Sequence, residues 1–169
     1  MADVARRIAR RRVALGFLCG AAALWLARPT RGSMIAGVAV ASLGEALRIW
    51  AAGHLEKGRE VTTTGPYRFT RHPLYMGSTI MGVGLVIAAR SVIVAVVVLA
   101  YLGVTLAAAI RSEEAHLTEK FGAAYPEYRD GRVRSGPRRF SAARAIRNRE
   151  YRALIGLLVA LALLALRWR

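Results

Sequence analysis

The stretch SVIVAVVVLAYLGVTLAAAI, residues 91–110, decides the fold because none of its residues carries a charge. About 20 apolar residues in helical form cross the roughly 30 Å hydrocarbon core of a bilayer. This segment therefore predicts a transmembrane helix by itself, and the rest of the chain is interpreted around it.

Four other apolar segments flank this helix in the sequence, at 13–27, 33–52, 74–89 and 153–166. The shorter ones reach a full span if flanking arginines extend their side chains to the interface. The last segment is also short enough to lie in the interface, but we favour a fifth span. We therefore predict an all-α, polytopic membrane protein with about five transmembrane helices.

The second apolar segment holds two charges, Glu45 and Arg48, three residues apart. This spacing places both side chains on one helix face, where they partly neutralise each other. Charges inside a membrane are candidates for function. A polar contact that joins neighbouring helices is an equally good interpretation.

The overall composition combines 55% hydrophobic residues with a net charge of +16. A soluble domain of 169 residues has too much surface for its volume to hide that apolar fraction. The basic residues cluster at 5–12 and 129–152, beside apolar runs. This pattern predicts contacts with anionic lipid headgroups and argues against nucleic acid as a partner.

The distribution of Lys and Arg predicts the orientation. Segments 1–12, 53–73 and 111–152 together carry 20 of them, whereas 28–32, 90 and 167–169 together carry five. By the positive-inside rule, the N-terminus and both long loops are cytoplasmic, and five spans place the C-terminus outside. Abundant Arg and Ala with little Lys indicate a bacterium with a GC-rich genome, and so its inner membrane.

A central helical hairpin brings distant polar residues together. GPYRFTRHPLYMG (65–77) enters one span, Arg90 and Ser91 form a tight turn, and the next span returns to IRSEEAHL (110–117). Both polar stretches then lie at the cytoplasmic face. The residues expected to converge there are Arg71, His72, Arg111, Glu113 and Glu114.

These converging residues have complementary chemistry. Pro73 suits the first turn of a helix, whose free N–H groups and positive dipole end favour a carboxylate. Arg71 and His72 add donors, while Glu113 and Glu114 suit an ammonium group or ribose hydroxyls. The residues predict a pocket for a zwitterion beside the membrane. Simple headgroup contacts and a solvated helix end are the alternatives.

Three glycines, Gly77, Gly82 and Gly84, follow within the apolar span. Glycine permits close approach of a ligand or of a neighbouring backbone, and both interpretations stay open. The three histidines have no metal-binding spacing and Cys19 is the only cysteine, so we expect no metal site.

The two motifs resemble the isoprenylcysteine carboxyl methyltransferase and phospholipid methyltransferase group of integral-membrane enzymes. The group's pattern is approximately R-H-P-x-Y-x-G, an apolar hairpin, and E-E-x-x-L-x-x-x-F-G-x-x-Y-x-x-Y. In this chain, TRHPLYMG (70–77) and EEAHLTEKFGAAYPEYRDGRV (113–133) fit it. The resemblance covers about residues 61–134.

The resemblance implies S-adenosylmethionine as cofactor and a lipid-like methyl acceptor that enters from the bilayer. The acceptor group is then an isoprenylcysteine-like carboxylate, a phospholipid amine or a thiol. Carried over by position, the residues nearest the acceptor are Arg71, Arg111 and Glu113. Those that would bind the cofactor are His72, Pro73, Tyr75, Gly77, Gly82, Gly84, Glu114, Tyr125 and Tyr128. For the two tyrosines, packing against the hairpin is an equally good interpretation. An arginine would orient a carboxylate, and Glu113 would accept the proton of an amine or thiol.

The chain is expected to have three parts. Residues 1–60 hold the first two transmembrane helices, 61–134 form the methyltransferase core with its cytoplasmic helical segment, and 135–169 hold a basic segment and a hydrophobic helix. This last part departs from the family pattern. It would cover the active site, bind anionic lipid or dimerise.

Two other functions compete with the methyltransferase. NADPH-dependent sterol reductases of membranes share a His-Pro-x-Tyr-x-Gly stretch, but paired carboxylates at Glu113 and Glu114 suit a 2′-phosphate poorly. A non-catalytic lipid-binding protein would not need every polar motif position, and this chain retains them all.

Overall fold

The structure is a computed structural model that describes residues 16, 18–133 and 136–167. Those residues form helices and connecting loops without any strand, which confirms the predicted all-α class for them. The basic cluster at 5–12 lies outside the described residues. The helices are α1 (described over 18–26), α2 (Arg31–His54), α3 (Pro73–Ala89), α4 (Val92–Phe121), α5 (Ala124–Arg129), α6 (Ala142–Arg147) and α7 (Tyr151–Leu166), with a 3₁₀ turn at Gly65–Arg68.

Among the described residues, two helices are long and apolar enough to cross a membrane, α2 and α4. The apolar helices α3 and α7 have 17 and 16 residues and fall short of a full span. The structure therefore supports two of the five predicted spans by length and composition. Helix α4 has 30 residues, about 45 Å at 1.5 Å per residue, so its charged last turns extend past its apolar part.

The predicted turn between α3 and α4 is present. Arg90 adopts a left-handed conformation with φ 48° and ψ 48°, and its N–H bonds to Val86 and Ile87 carbonyls. Ser91 then caps α4, its hydroxyl accepting from the N–H of Val94. The turn reverses the chain and makes α3 and α4 an antiparallel hairpin.

Helix α3 packs most closely against α2, through glycines on both helices. A Cβ atom on Gly44 would lie only 2.6 Å from the carbonyl oxygen of Gly77. One on Gly84 would collide with the backbone of Ala41. The two backbones thus touch directly, which is the usual role of small residues between helices in membranes.

The helix ends divide the molecule into two faces. At one, Arg28 N–H donates to Ala89 O over 2.9 Å and Arg167 Nη2 donates to Trp25 O over 2.9 Å. The opposite face holds the loop 55–72, the charged end of α4, and helices α5 and α6. Both sequence motifs therefore lie on that second face.

The C-terminal segment folds back onto the end of α2. Arg144 Nη1 donates to Gly53 O over 2.6 Å, and Asn148 Nδ2 donates to the carbonyls of Ala52 and Leu55 over 2.9 Å each. These bonds satisfy carbonyls that a helix end leaves without partners. The segment thereby braces the loop that begins at Leu55.

Candidate functional site

The centre of the site is the carboxylate of Glu114. Its Oε1 accepts from His72 Nε2 at 3.0 Å and from the Tyr125 hydroxyl at 3.3 Å, and Arg71 Nη1 lies 3.5 Å away. The three donors come from the loop before α3, the residue that caps α3, and α5. The hairpin thus brings Arg71 and His72 to the acidic pair of α4, as its topology predicts.

Local backbone features place these groups. His72 is the N-cap of α3, and the buried Pro73 that follows occupies the first helical turn. At the other end, Gly122 has φ 54°, a conformation that favours glycine. This residue ends α4 and turns the chain into the short helix α5, which returns Tyr125 to Glu114.

Three tyrosines form one side of the site. The Tyr128 hydroxyl donates to Tyr67 O over 2.7 Å, and the Tyr125 and Tyr128 rings lie 6.2 Å apart. Burial raises the pKa of Tyr128 to about 12, and burial together with the Glu114 carboxylate raises the pKa of Tyr125 to about 12. Burial likewise raises the pKa of Tyr67. All three hydroxyls therefore stay protonated at neutral pH.

A polar cavity of about 250 Å³ opens beside this network. Loop 55–62, the start of α3, the end of α4 and α5 enclose it. The predicted site residues that line it are Arg71, His72, Pro73, Tyr75, Glu113, Tyr125 and Tyr128. Glu114 adjoins it through its bonds to His72 and Tyr125.

An apolar groove of about 450 Å³ runs between α3 and α4. Its α3 side includes Met76 and Thr79, and its α4 side includes Leu102 and Ile110. His72 and Tyr75 line both the groove and the polar cavity. The two spaces therefore adjoin at this pair of side chains.

Besides Glu114, which adjoins the polar cavity, four predicted site residues do not line it. Gly77 and Gly84 lie against α2, and Gly82 lies against Leu102 of α4. Of the two interpretations of these glycines, the structure supports close packing of neighbouring helices. Arg111 is exposed and makes no hydrogen bond or ion pair with the described residues. A cofactor role for the glycines, or a catalytic role for Arg111, stays a prediction without support from this geometry.

Within the predicted zwitterion pocket, one of the two acidic residues is already paired with the basic ones. Arg71 and His72 both contact Glu114, so this carboxylate is engaged by the protein's own donors. The cavity nevertheless presents both signs. Its other charged residues are Arg48, Glu56, Lys57, Glu60 and Glu113.

Part of the cavity lining was not among the site residues predicted from the sequence. The loop 55–62 has no motif, and Arg48 gave only the signal of a charge within an apolar segment. Tyr67 stands inside GPYRF, the quoted approach to the motif, and is almost fully buried. Its position in the sequence, directly before the first motif, is the signal that could have assigned it to the site.

No metal centre is built by the described residues. Among 16, 18–133 and 136–167, no group of three or more His, Cys, Asp or Glu side chains is placed to hold a metal ion.

Comparison with known proteins gives two matches. The chain is 35% identical over 96 residues to the nickel-cobalt-cadmium resistance protein NccN of Alcaligenes xylosoxydans xylosoxydans, over 56% of this chain and 42% of that protein. The chain thus spans less than half the length of this curated relative. No solved structure gave a significant match. A sequence model of a family named phospholipid methyltransferase matches residues 12–124, which include the first motif and the acidic pair. The chain belongs to the phospholipid methyltransferase family of membrane methyltransferases.

Proposed function

We propose that this protein is an S-adenosylmethionine-dependent methyltransferase of the bacterial inner membrane, acting on a lipidic or small hydrophobic acceptor. The observation that carries the proposal is the meeting of a polar cavity and an apolar groove at His72 and Tyr75. A charged cofactor suits the first space and a lipid chain suits the second. The reacting groups of both then meet at the shared residues.

The polar cavity fits S-adenosylmethionine by its chemistry. The cofactor carries a carboxylate, an ammonium group, a sulfonium and an adenine, and when bound it supplies an electrophilic methyl group. Cations of the lining would hold the carboxylate, and carboxylates of the lining would hold the ammonium group. The rings of Tyr67 and Tyr128 offer apolar faces to the adenine.

The apolar groove suits the acceptor. It opens between the first turns of α3 and the middle of α4, so a lipid would enter it sideways from the bilayer. Its polar group would stop near His72, where the groove meets the cavity. Arg111, next to the groove residue Ile110, is a candidate to hold a headgroup at the mouth.

Methyl transfer is an in-line displacement, so alignment of the reacting groups and electrostatic preorganisation supply most of the catalysis. For a carboxylate acceptor, Arg71 orients the nucleophile and no base is needed. For an amine or a thiol, Glu113 accepts the proton. His72, fixed by Glu114, keeps the boundary between the two spaces in place.

The membrane arrangement belongs to the same proposal. The proposal keeps the five spans predicted from the apolar segments, and the excess of Lys and Arg in alternate loops favours a cytoplasmic N-terminus and a cytoplasmic site. The gathering of both motifs on one face of the molecule supports a single cytoplasmic site. The exposed arginines on that face then contact anionic lipid headgroups.

Calorimetric titration of detergent-purified protein with S-adenosylhomocysteine tests the cofactor. We expect saturable binding that is lost in the Glu113→Gln/Glu114→Gln double variant, with no heat from NADPH. Binding of NADPH alone would move the protein to the reductases, and binding of neither by folded protein would refute the proposal. Transfer of labelled methyl groups into extracted bacterial lipids then identifies the acceptor.

A further inference from the structure

Arg48 is the most enclosed cation that lines the polar cavity. It lies on α2, where its side chain is only 19% exposed, while that of Arg71 is 45% exposed. Lys57, the third cation, stands in an exposed stretch of loop. Arg48 is therefore the cation of the cavity with the least competition from water.

Three contacts fix one side of its guanidinium. Nε donates to Glu150 Oε1 over 2.6 Å, and Nη1 donates to Leu74 O over 3.2 Å and to the Ser78 hydroxyl. A guanidinium has five N–H donors in a planar fork. Among the described residues, Nη2 has no hydrogen-bond partner. The arginine is thus held rigidly with donors to spare.

The partner that orients Arg48 comes from the C-terminal segment. Glu150 is 102 positions away, directly precedes α7, and has a side chain that is only 8% exposed. Glu45, although on the same helix as Arg48, comes no nearer than 4.0 Å to its Nε, and neither of its oxygens has a hydrogen-bond partner in the described part of the chain. Glu150, and not Glu45, sets the position of the guanidinium.

We propose that Arg48 binds the carboxylate of the cofactor and that Glu150 is a positioning residue that aims it. This inference rests on the proposed function. A planar guanidinium with free N–H groups suits a carboxylate, and a preorganised one loses little entropy on binding. The C-terminal segment thereby contributes to the site through Glu150 without lining the cavity.

The test pairs protein variants with a ligand that lacks the group in question. Full-length protein in detergent is titrated with S-adenosylhomocysteine and with its decarboxylated analogue. Arg48→Gln should weaken binding of the first about ten- to a hundred-fold, the range for a lost charge-assisted hydrogen bond, and of the second less than about two-fold. Glu150→Gln should weaken binding of the first about three- to ten-fold, with the same dependence on the carboxylate.

Glu45→Gln is the matched control, because it removes a carboxylate near Arg48 that makes no hydrogen bond to any residue that the structure describes. It should leave both affinities unchanged. Equal losses for both ligands, or no loss, would overturn the inference while the proposed function stands. Failure of the unmodified, folded protein to bind S-adenosylhomocysteine would overturn both. If Arg48→Gln does not fold, Arg48→Lys decides: a loss confined to the carboxylate ligand supports the inference, and any other pattern refutes it.

Discussion

His72 and Glu114 stand 42 positions apart in the chain and meet through a 3.0 Å contact between Nε2 and Oε1. The contact joins the first residue before α3 to the end of α4, and so closes the hairpin at the face that carries both motifs. It also stands where the polar cavity and the apolar groove adjoin. Structure and proposed chemistry therefore depend on the same pair.

Glu114→Gln should weaken binding of S-adenosylhomocysteine by about ten-fold, because His72, Arg71 and Tyr125 lose the charged acceptor that they share. Titration calorimetry measures the change. Glu119→Gln, an exposed position on the same helix, controls for the charge and should bind normally. Unchanged affinity in the Glu114→Gln variant would show that this carboxylate does not contribute to cofactor binding.

Arg71→Ala should lower turnover more than cofactor affinity, since the proposal places Arg71 beside the acceptor. We expect about a ten- to hundred-fold loss in kcat with less than about a three-fold change in binding. A methyl-transfer assay beside calorimetry separates the two quantities. Arg132→Ala removes an exposed cation that pairs with Asp130, outside the cavity lining, and should change neither quantity. The reverse pattern, weak binding with normal turnover, would contradict the assignment.

Gly84→Ala should destabilise the protein by about 1–3 kcal/mol, because the added methyl group collides with the backbone of Ala41 on α2. The melting temperature in detergent reports the loss. In Gly156→Ala the new methyl group meets nothing within 4 Å, so that variant should melt at the same temperature or higher. Equal melting of both variants would show that α2 and α3 do not pack through this contact.

Glu56 makes stability depend on pH. The hydrogen bond from Arg144, 2.6 Å long, holds the pKa of this carboxyl below its usual value. Because the pKa is lower in the folded state, the pair stabilises the fold above the unfolded pKa of about 4.3, and this contribution is lost as pH falls through the folded pKa. The melting temperature of the unmodified protein should therefore approach that of Glu56→Gln between about pH 6 and pH 3.

A constant difference between the two melting temperatures over that pH range would contradict the assignment. Between about pH 6 and pH 8, where the carboxyl stays ionised in both states, the difference should not change.

The hairpin and the meeting of its polar ends could be predicted because their signals are local. An uncharged stretch, a proline and a two-residue turn determine where α3 begins, where it ends and where α4 returns. Their order along the chain is enough to bring Arg71, His72 and Glu114 to one face.

The packing of Gly77 and Gly84 could not be predicted in the same way. The sequence shows that a close approach is possible, but the approaching group is decided by which helix lies alongside, and α2 carries no motif that marks it as the neighbour of α3. The ion pair between Arg48 and Glu150 could not be predicted for a similar reason. It spans 102 positions and joins two segments that the family pattern leaves out.

Helix α4 is 30 residues long and has one buried residue, Val94, in its first turn. Towards its other end, the contact of Glu114 with His72 holds the helix against the start of α3. The length of helix from Val94 to Glu114 is roughly 30 Å, so a tilt of about 5° about Val94 would shift the carboxylate by roughly 3 Å. Such a swing would break the contact with His72 and widen the groove along its whole length. The hydrogen bond between His72 and Glu114 would then also control how far the groove opens toward the bilayer.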